Sequence, residues 1–188
     1  MKEQLYTIPL NDAINANDEC PFCFIERNVE QDLLDFVLGS GSSYMESDVR
    51  EATDKAGFCR VHFKKMFDYG NTLGNGWILK THFLHMNQAM KARFQSFTPQ
   101  KTPFMGKLKK NAGAENPIGL WVKEQEKSCY ICKRFSDTYE RYLDTFFVMY
   151  KKDEAFRSKV REGKGFCLPH FADLCTAAEA KLNDKEKA

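Results

Sequence analysis

The 188-residue sequence is poor in proline (six) and glycine (eleven), has no long apolar run, and shows almost no charge excess. The low Pro and Gly content excludes a collagen-like or low-complexity chain, and 43% apolar with 29% charged residues is the balance of an ordinary globular protein. A net charge of +2 is too small for the electrostatic footprint of a nucleic-acid or anionic-membrane binder. No stretch approaches the roughly 20 apolar residues that span a bilayer. The opening "MKEQLYTIPLNDAINAND" also lacks the apolar stretch of a signal peptide, so a cytoplasmic address is expected. Catalytic signatures are missing too. There is no Gly-rich phosphate loop, no Ser-His-Asp order and no pair of carboxylates at a distinctive spacing, so no enzyme class is indicated.

What is present is a repeat. "GFCRVHF" at 57–63 recurs as "GFCLPHF" at 165–171, and upstream of each stands a CxxC, "CPFC" at 20–23 and "CYIC" at 129–132. The second copy follows the first by 109 positions at the CxxC and 108 at the CxxH. Six of the seven cysteines and two of the four histidines fall in these registers. Self-similarity of this kind marks two copies of one structural unit.

Each copy supplies three thiols and one imidazole, the donor set of a closed tetrahedral zinc site. Two metal ions per chain are expected, one on Cys20, Cys23, Cys59 and His62, the other on Cys129, Cys132, Cys167 and His170. Seven cysteines in a reducing compartment suit metal ligation better than disulfides. An iron–sulfur cluster on the same Cys3His sets is the rival, since soft thiolates serve both. A cysteine-rich core without metal leaves the paired His62 and His170 unaccounted for. A thioredoxin-like reading of "CPFC" fails because "CYIC" lacks the proline and no strand pattern surrounds either motif. Four protein donors per site leave no open position, which argues for structural rather than catalytic metal.

Periodicity predicts helix almost throughout. Phe22, Ile25, Val29, Leu33, Phe36 and Val37 recur at helical spacing over 21–38, until "GSGSS" interrupts. A short helix within 45–57 closes at Gly57, another runs over 60–69, and a fourth over about 76–97 carries a stripe of Phe83, Met86, Met90, Phe94 and Phe97. The second copy repeats the plan with helices over 130–152, about 153–162, and from Leu168, where Pro169 suits a first turn. The fold expected is all-α, an internally duplicated helical bundle of two similar units, each stapled by a Cys3His site. Repeats are assigned to 1–97 and 118–188, with the Pro- and Lys-bearing segment 98–117 as linker. Both halves of each donor set fall at helix starts, where the dipole favours thiolates. Arg60, Lys64, Lys133, Arg134 and Lys164 lie nearby in sequence, either balancing the site charge or simply solvated.

Some residues fall outside the sets. Cys175 lies in register with Phe67 and reads as a buried structural thiol. His82 and His85, one turn apart without a third ligand, read as packing and hydrogen-bonding residues. After His170 only 18 residues remain, against a long helix after His62, so either that helix serves both copies or the second copy lacks its last helix and the natural chain runs further.

The doubled CxxC…GFCxxH with its "LYTIPLNDAI" entry resembles an uncharacterised family of bacterial proteins, mainly of Firmicutes, that carries a domain of unknown function. The resemblance implies the architecture and the metal sets and no activity. The expected function is a zinc-stabilised helical scaffold or binding module for an unknown protein or small-molecule partner, with oligomerisation left open. The alternative is a redox or electron-transfer protein using Fe–S clusters or reactive zinc-thiolates.

Overall fold

The computed structural model describes residues 5–98 and 116–183. Among these are nine α-helices, one 3-10 turn and no strand. In chain order they are α1 (Thr7–Asn15), α2 (Pro21–Leu38), the turn Ser43–Met45, α3 (Ser47–Ala56), α4 (Arg60–Asp68), α5 (Thr72–Ser96), α6 (Pro117–Lys127), α7 (Tyr130–Lys152), α8 (Glu154–Glu162) and α9 (Leu168–Lys181). The duplication is visible in this order: α1 and α6 each precede a CxxC, α2 and α7 carry it, α3 and α8 follow, and α4 and α9 carry the CxxH. The short entry helices α1 and α6 are absent from the periodicity reading. The assigned linker falls on 99–115 for most of its length, outside the described residues.

Local sequence explains the helix starts. The Asn71 carboxamide accepts from the Gly74 N–H at 2.9 Å to begin α5. Asn116 accepts from Ile118 N–H at 2.8 Å, with Pro117 in the first turn of α6. Asp153 accepts from Phe156 N–H at 3.1 Å for α8. Each cap satisfies a backbone donor that the helix itself leaves unpaired.

The described chain forms two compact units, and each draws on both sequence copies. One unit combines residues up to Leu33 with those from Arg134 onward, and the other runs from Leu34 to Lys133. Helices α2 and α7 each contribute to both. The first unit has a core of Leu10, Phe22, Ile25, Phe146, Met149 and Phe156, with Phe22 and Ile25 at most 1% exposed. Burying one such side chain contributes about 1.5–3 kcal/mol. Phe22 lies edge-on to Tyr139 and Phe146.

The second unit is organised around α5. Its buried face is Gly74, Ile78 and His82, and it packs with α3 and α4, whose buried residues include Val49, Thr53 and Met66. The apolar stripe on this helix lies on its open side: Phe83, Met90, Phe94 and Phe97 are exposed and Met86 is half-buried. Helix α5 carries apolar residues around most of its circumference, so a stripe read by period alone does not identify the buried one. Gly74 lies on the buried face, where a Cβ would meet Asn71 Nδ2 at 2.9 Å and the Leu38 side chain at 3.0 Å.

Candidate metal centres

The CxxC and CxxH motifs all lie at helix starts. Cys20 immediately precedes α2 and Cys129 immediately precedes α7, so Cys23 and Cys132 fall in the first turns. Cys59 and Cys167 are the N-cap residues of α4 and α9, in extended backbone conformation. His62 and His170 follow in the first turn and are buried. The positive end of a helix dipole therefore faces each thiol pair, as thiolate ligands require.

Two four-donor clusters result, and their membership corrects the expected pairing. Cys20 and Cys23 meet Cys167 and His170, while Cys59 and His62 meet Cys129 and Cys132. Each cluster joins the CxxC of one copy to the CxxH of the other. Helix length gives the physical reason. The 18 residues of α2 and 23 of α7 carry the chain about 27 and 35 Å from their CxxC. Each of these helices begins in one compact unit and ends in the other, so the CxxH that follows within a copy belongs to a different unit from its own CxxC.

In the first cluster the sulfurs of Cys20, Cys23 and Cys167 stand 3.3, 3.4 and 3.0 Å from Nδ1 of His170. The Cys23 and Cys167 sulfurs are 3.7 Å apart. In the second, Cys59, Cys129 and Cys132 stand 3.2, 3.3 and 3.3 Å from Nδ1 of His62, with Cys59 and Cys132 sulfurs 3.8 Å apart. One ring nitrogen cannot serve three thiols as hydrogen-bond partner at once. A tetrahedron with Zn–S bonds of about 2.3 Å has S···S edges of about 3.8 Å. The cages therefore have the size of one four-coordinate ion, and all donors in each lie within 4.8 Å of one another.

The thiols' acidities carry the same message. Burial raises Cys23, and the neighbouring sulfurs of Cys167 and Cys20 add to it, pushing it up to about 12. Burial likewise raises Cys132, reinforced by Cys129 and Cys59, to about 12. Cys20 is also opposed by burial, yet the Cys167 and Cys23 backbone N–H donors, with the His170 and Cys167 side chains beside it, outweigh it and bring it down to about 7. Cys59 is lowered in the same way, burial being overcome chiefly by the His62 backbone N–H. Without a cation the protein holds one thiol ready to ionise beside another that resists. Two negative charges at this separation repel by about 4 kcal/mol in a partly solvated site, and a dication removes that conflict.

Glu26 is the residue that motif reading missed. Its carboxylate lies 3.1 Å from Nε2 of His170, on the side of the ring away from the sulfurs. It fixes the tautomer that leaves Nδ1 free to ligate. The signal was available, since Glu26 follows Cys23 by three residues on the same helix, giving CxxCxxE. In register, the second copy has Phe135. In the second cluster, Tyr130 N–H donates to the Gly57 carbonyl at 2.9 Å, tying the GFC loop to the start of α7.

The residues outside the sets behave unequally. His82 is buried, its Nδ1 2.9 Å from the Asp54 carbonyl, and belongs to no metal cluster among the described residues. His85 is exposed and belongs to none either. Cys175, expected to be buried, is exposed, as is its register partner Phe67 at 79%. That position faces outward on both α4 and α9. Among the described residues no helix is long and apolar enough to cross a membrane.

No curated protein and no solved structure is significantly similar to the chain. A family of unknown function, DUF6062, matches residues 1–188, and the chain belongs to that family.

Proposed function

We propose that the protein is a zinc-stabilised helical binding module, with one ion in each Cys3His cage and a protein partner received on the outward stripe of α5. The observation that carries the metal reading is the cage itself: three sulfurs gathered around one imidazole nitrogen at 3.0–3.4 Å. Zinc suits this soft, four-coordinate, closed donor set. An iron–sulfur cluster spreads its ligands over several irons and needs a wider cage than donors within 4.8 Å provide. Seven free cysteines suit a reducing cytoplasm.

The binding role is supported by apolar surface that the fold leaves uncovered, with Phe83 and Phe94 more than half exposed and Met90 and Phe97 beside them in the stripe. Contiguous exposed apolar area of this kind marks interaction surfaces. Anaerobic purification followed by elemental analysis tests the metal reading. The expected result is two equivalents of zinc in colourless protein. Brown protein containing iron and sulfide would establish the redox alternative instead.

A further inference from the structure

The two cages share their donors and differ in what surrounds them. In the Cys20–Cys23–Cys167–His170 cage no ligand is exposed, whereas in the other Cys132 is exposed. Three register positions diverge alongside. Glu26, which holds His170, corresponds to Phe135. Phe24, after Cys23, corresponds to the exposed Lys133 after Cys132. Leu168, after Cys167, corresponds to the exposed Arg60 after Cys59. Beside the same ligands, the first cage is followed by Phe24 and by Leu168, itself exposed, and the second by the exposed cations Lys133 and Arg60, with Cys132 an exposed residue.

We propose that the Cys59–His62–Cys129–Cys132 cage is a peroxide-reactive zinc-thiolate centre, while the other cage gives up its zinc to peroxide several-fold more slowly. The inference rests on the zinc reading above. Spacing alone does not separate the cages, since the Cys23–Cys167 and Cys59–Cys132 sulfur pairs are 3.7 and 3.8 Å apart. Access and local charge do. A thiolate reacts only where an oxidant can reach it. The Cys132 thiolate attacks one oxygen of hydrogen peroxide, the O–O bond breaks, and the sulfur becomes a sulfenic acid as hydroxide departs and is protonated to water. Arg60 and Lys133 stabilise the charge developing on that leaving oxygen. The Cys59 thiolate, 3.8 Å from Cys132, then attacks the sulfenic sulfur, forming a disulfide and releasing a second hydroxide, protonated in turn. Two thiolates are oxidised, one peroxide is reduced to two waters, two protons are taken from solvent, and Zn2+ departs from a site left with one thiolate and His62.

The test uses the full chain carrying Cys175→Ser, which silences the exposed thiol outside both cages. Zinc is counted first, then hydrogen peroxide is added while released zinc is followed with a chromogenic chelator and oxidised cysteines are mapped by mass spectrometry. The expected record is two zinc ions at rest, with one released several-fold faster than the other. Oxidation should appear first at Cys132 and end in a Cys59–Cys132 disulfide. Arg60→Leu with Lys133→Phe should keep both ions at rest and slow the fast release several-fold. Two ions leaving at one rate, or first oxidation at Cys23 or Cys167, would overturn the inference while leaving the zinc reading intact. Protein that holds no zinc before peroxide is added would overturn both.

Discussion

The carboxylate of Glu26 lies 3.1 Å from Nε2 of His170, on the face of the ring opposite the three sulfurs. A ligating histidine held in this way presents its other nitrogen with the lone pair already aimed at the ion. Outer partners of this kind typically contribute 10–100-fold in metal affinity. Glu26→Ala should therefore weaken one of the two zinc ions by about that factor, read by chelator competition, while the other is unaffected. Equal weakening of both ions would contradict a role confined to His170.

Crossed pairing of the motifs makes a prediction that within-copy pairing does not share. Cys20 and Cys167 belong to one cage, Cys20 and Cys59 to different ones. The double variant Cys20→Ser with Cys167→Ser should retain one zinc ion by native mass spectrometry. Cys20→Ser with Cys59→Ser should retain none. Because structural zinc contributes about 10–16 kcal/mol of apparent binding energy in small modules, against a typical domain stability of about 5–15 kcal/mol, the second variant should also lose cooperative unfolding. One ion retained in the second variant and none in the first would restore the within-copy assignment.

His82 gives a third test, aimed at the unit built around α5. Its Nδ1 meets the Asp54 carbonyl at 2.9 Å and its ring lies 6.4 Å from that of Phe63. His82→Ala removes a buried hydrogen-bonding group and a large part of a core side chain, and should cost about 2–4 kcal/mol of stability. Zinc content should remain at two, since His82 lies in neither cage. Loss of one ion in this variant would place His82 in the metal chemistry.

Much of this was legible because the relevant signals are local. The helix starts at Pro21, Arg60, Tyr130 and Leu168 follow from motif, cap and periodicity, and the eight donors from the doubled spacing. Pairing was not legible. The 18-residue helix over 21–38 follows from periodicity, but which CxxH meets the CxxC at its start depends on tertiary packing that spacing does not encode. Which side of α5 is buried was not legible for a different reason: Phe83 and Ile78 are both apolar on one helix, and packing with α3 selects the buried face. Glu26 was overlooked because a carboxylate beside a ligand motif looks like solvated surface until its partner, 144 residues later, is in place.

The two GFC glycines supply a last test, since repeat partners in the same motif meet different surroundings. Gly57 has φ +62 and ψ −158, a region that only glycine occupies without strain, and Gly165 has φ +92. Alanine at either position is strained by about 1–3 kcal/mol. At Gly57 a Cβ would also stand 2.7 Å from Cε1 of His82, inside van der Waals contact, whereas at Gly165 nothing lies within 4 Å. The His82 ring has little freedom to retreat, being held by Asp54 and packed against Phe63. Moving the Gly57 loop instead would disturb its carbonyl, which accepts from Tyr130 N–H beside Cys129. Gly57→Ala should thus be the more destabilising of the two in denaturant titration. It should also weaken zinc held by Cys59, His62, Cys129 and Cys132, whereas Gly165→Ala should show only the backbone cost. His82→Ala combined with Gly57→Ala should recover the steric part, making the pair less destabilising than the sum of its single changes. Additive costs in that cycle would mean that the ring and the glycine are not in the contact described.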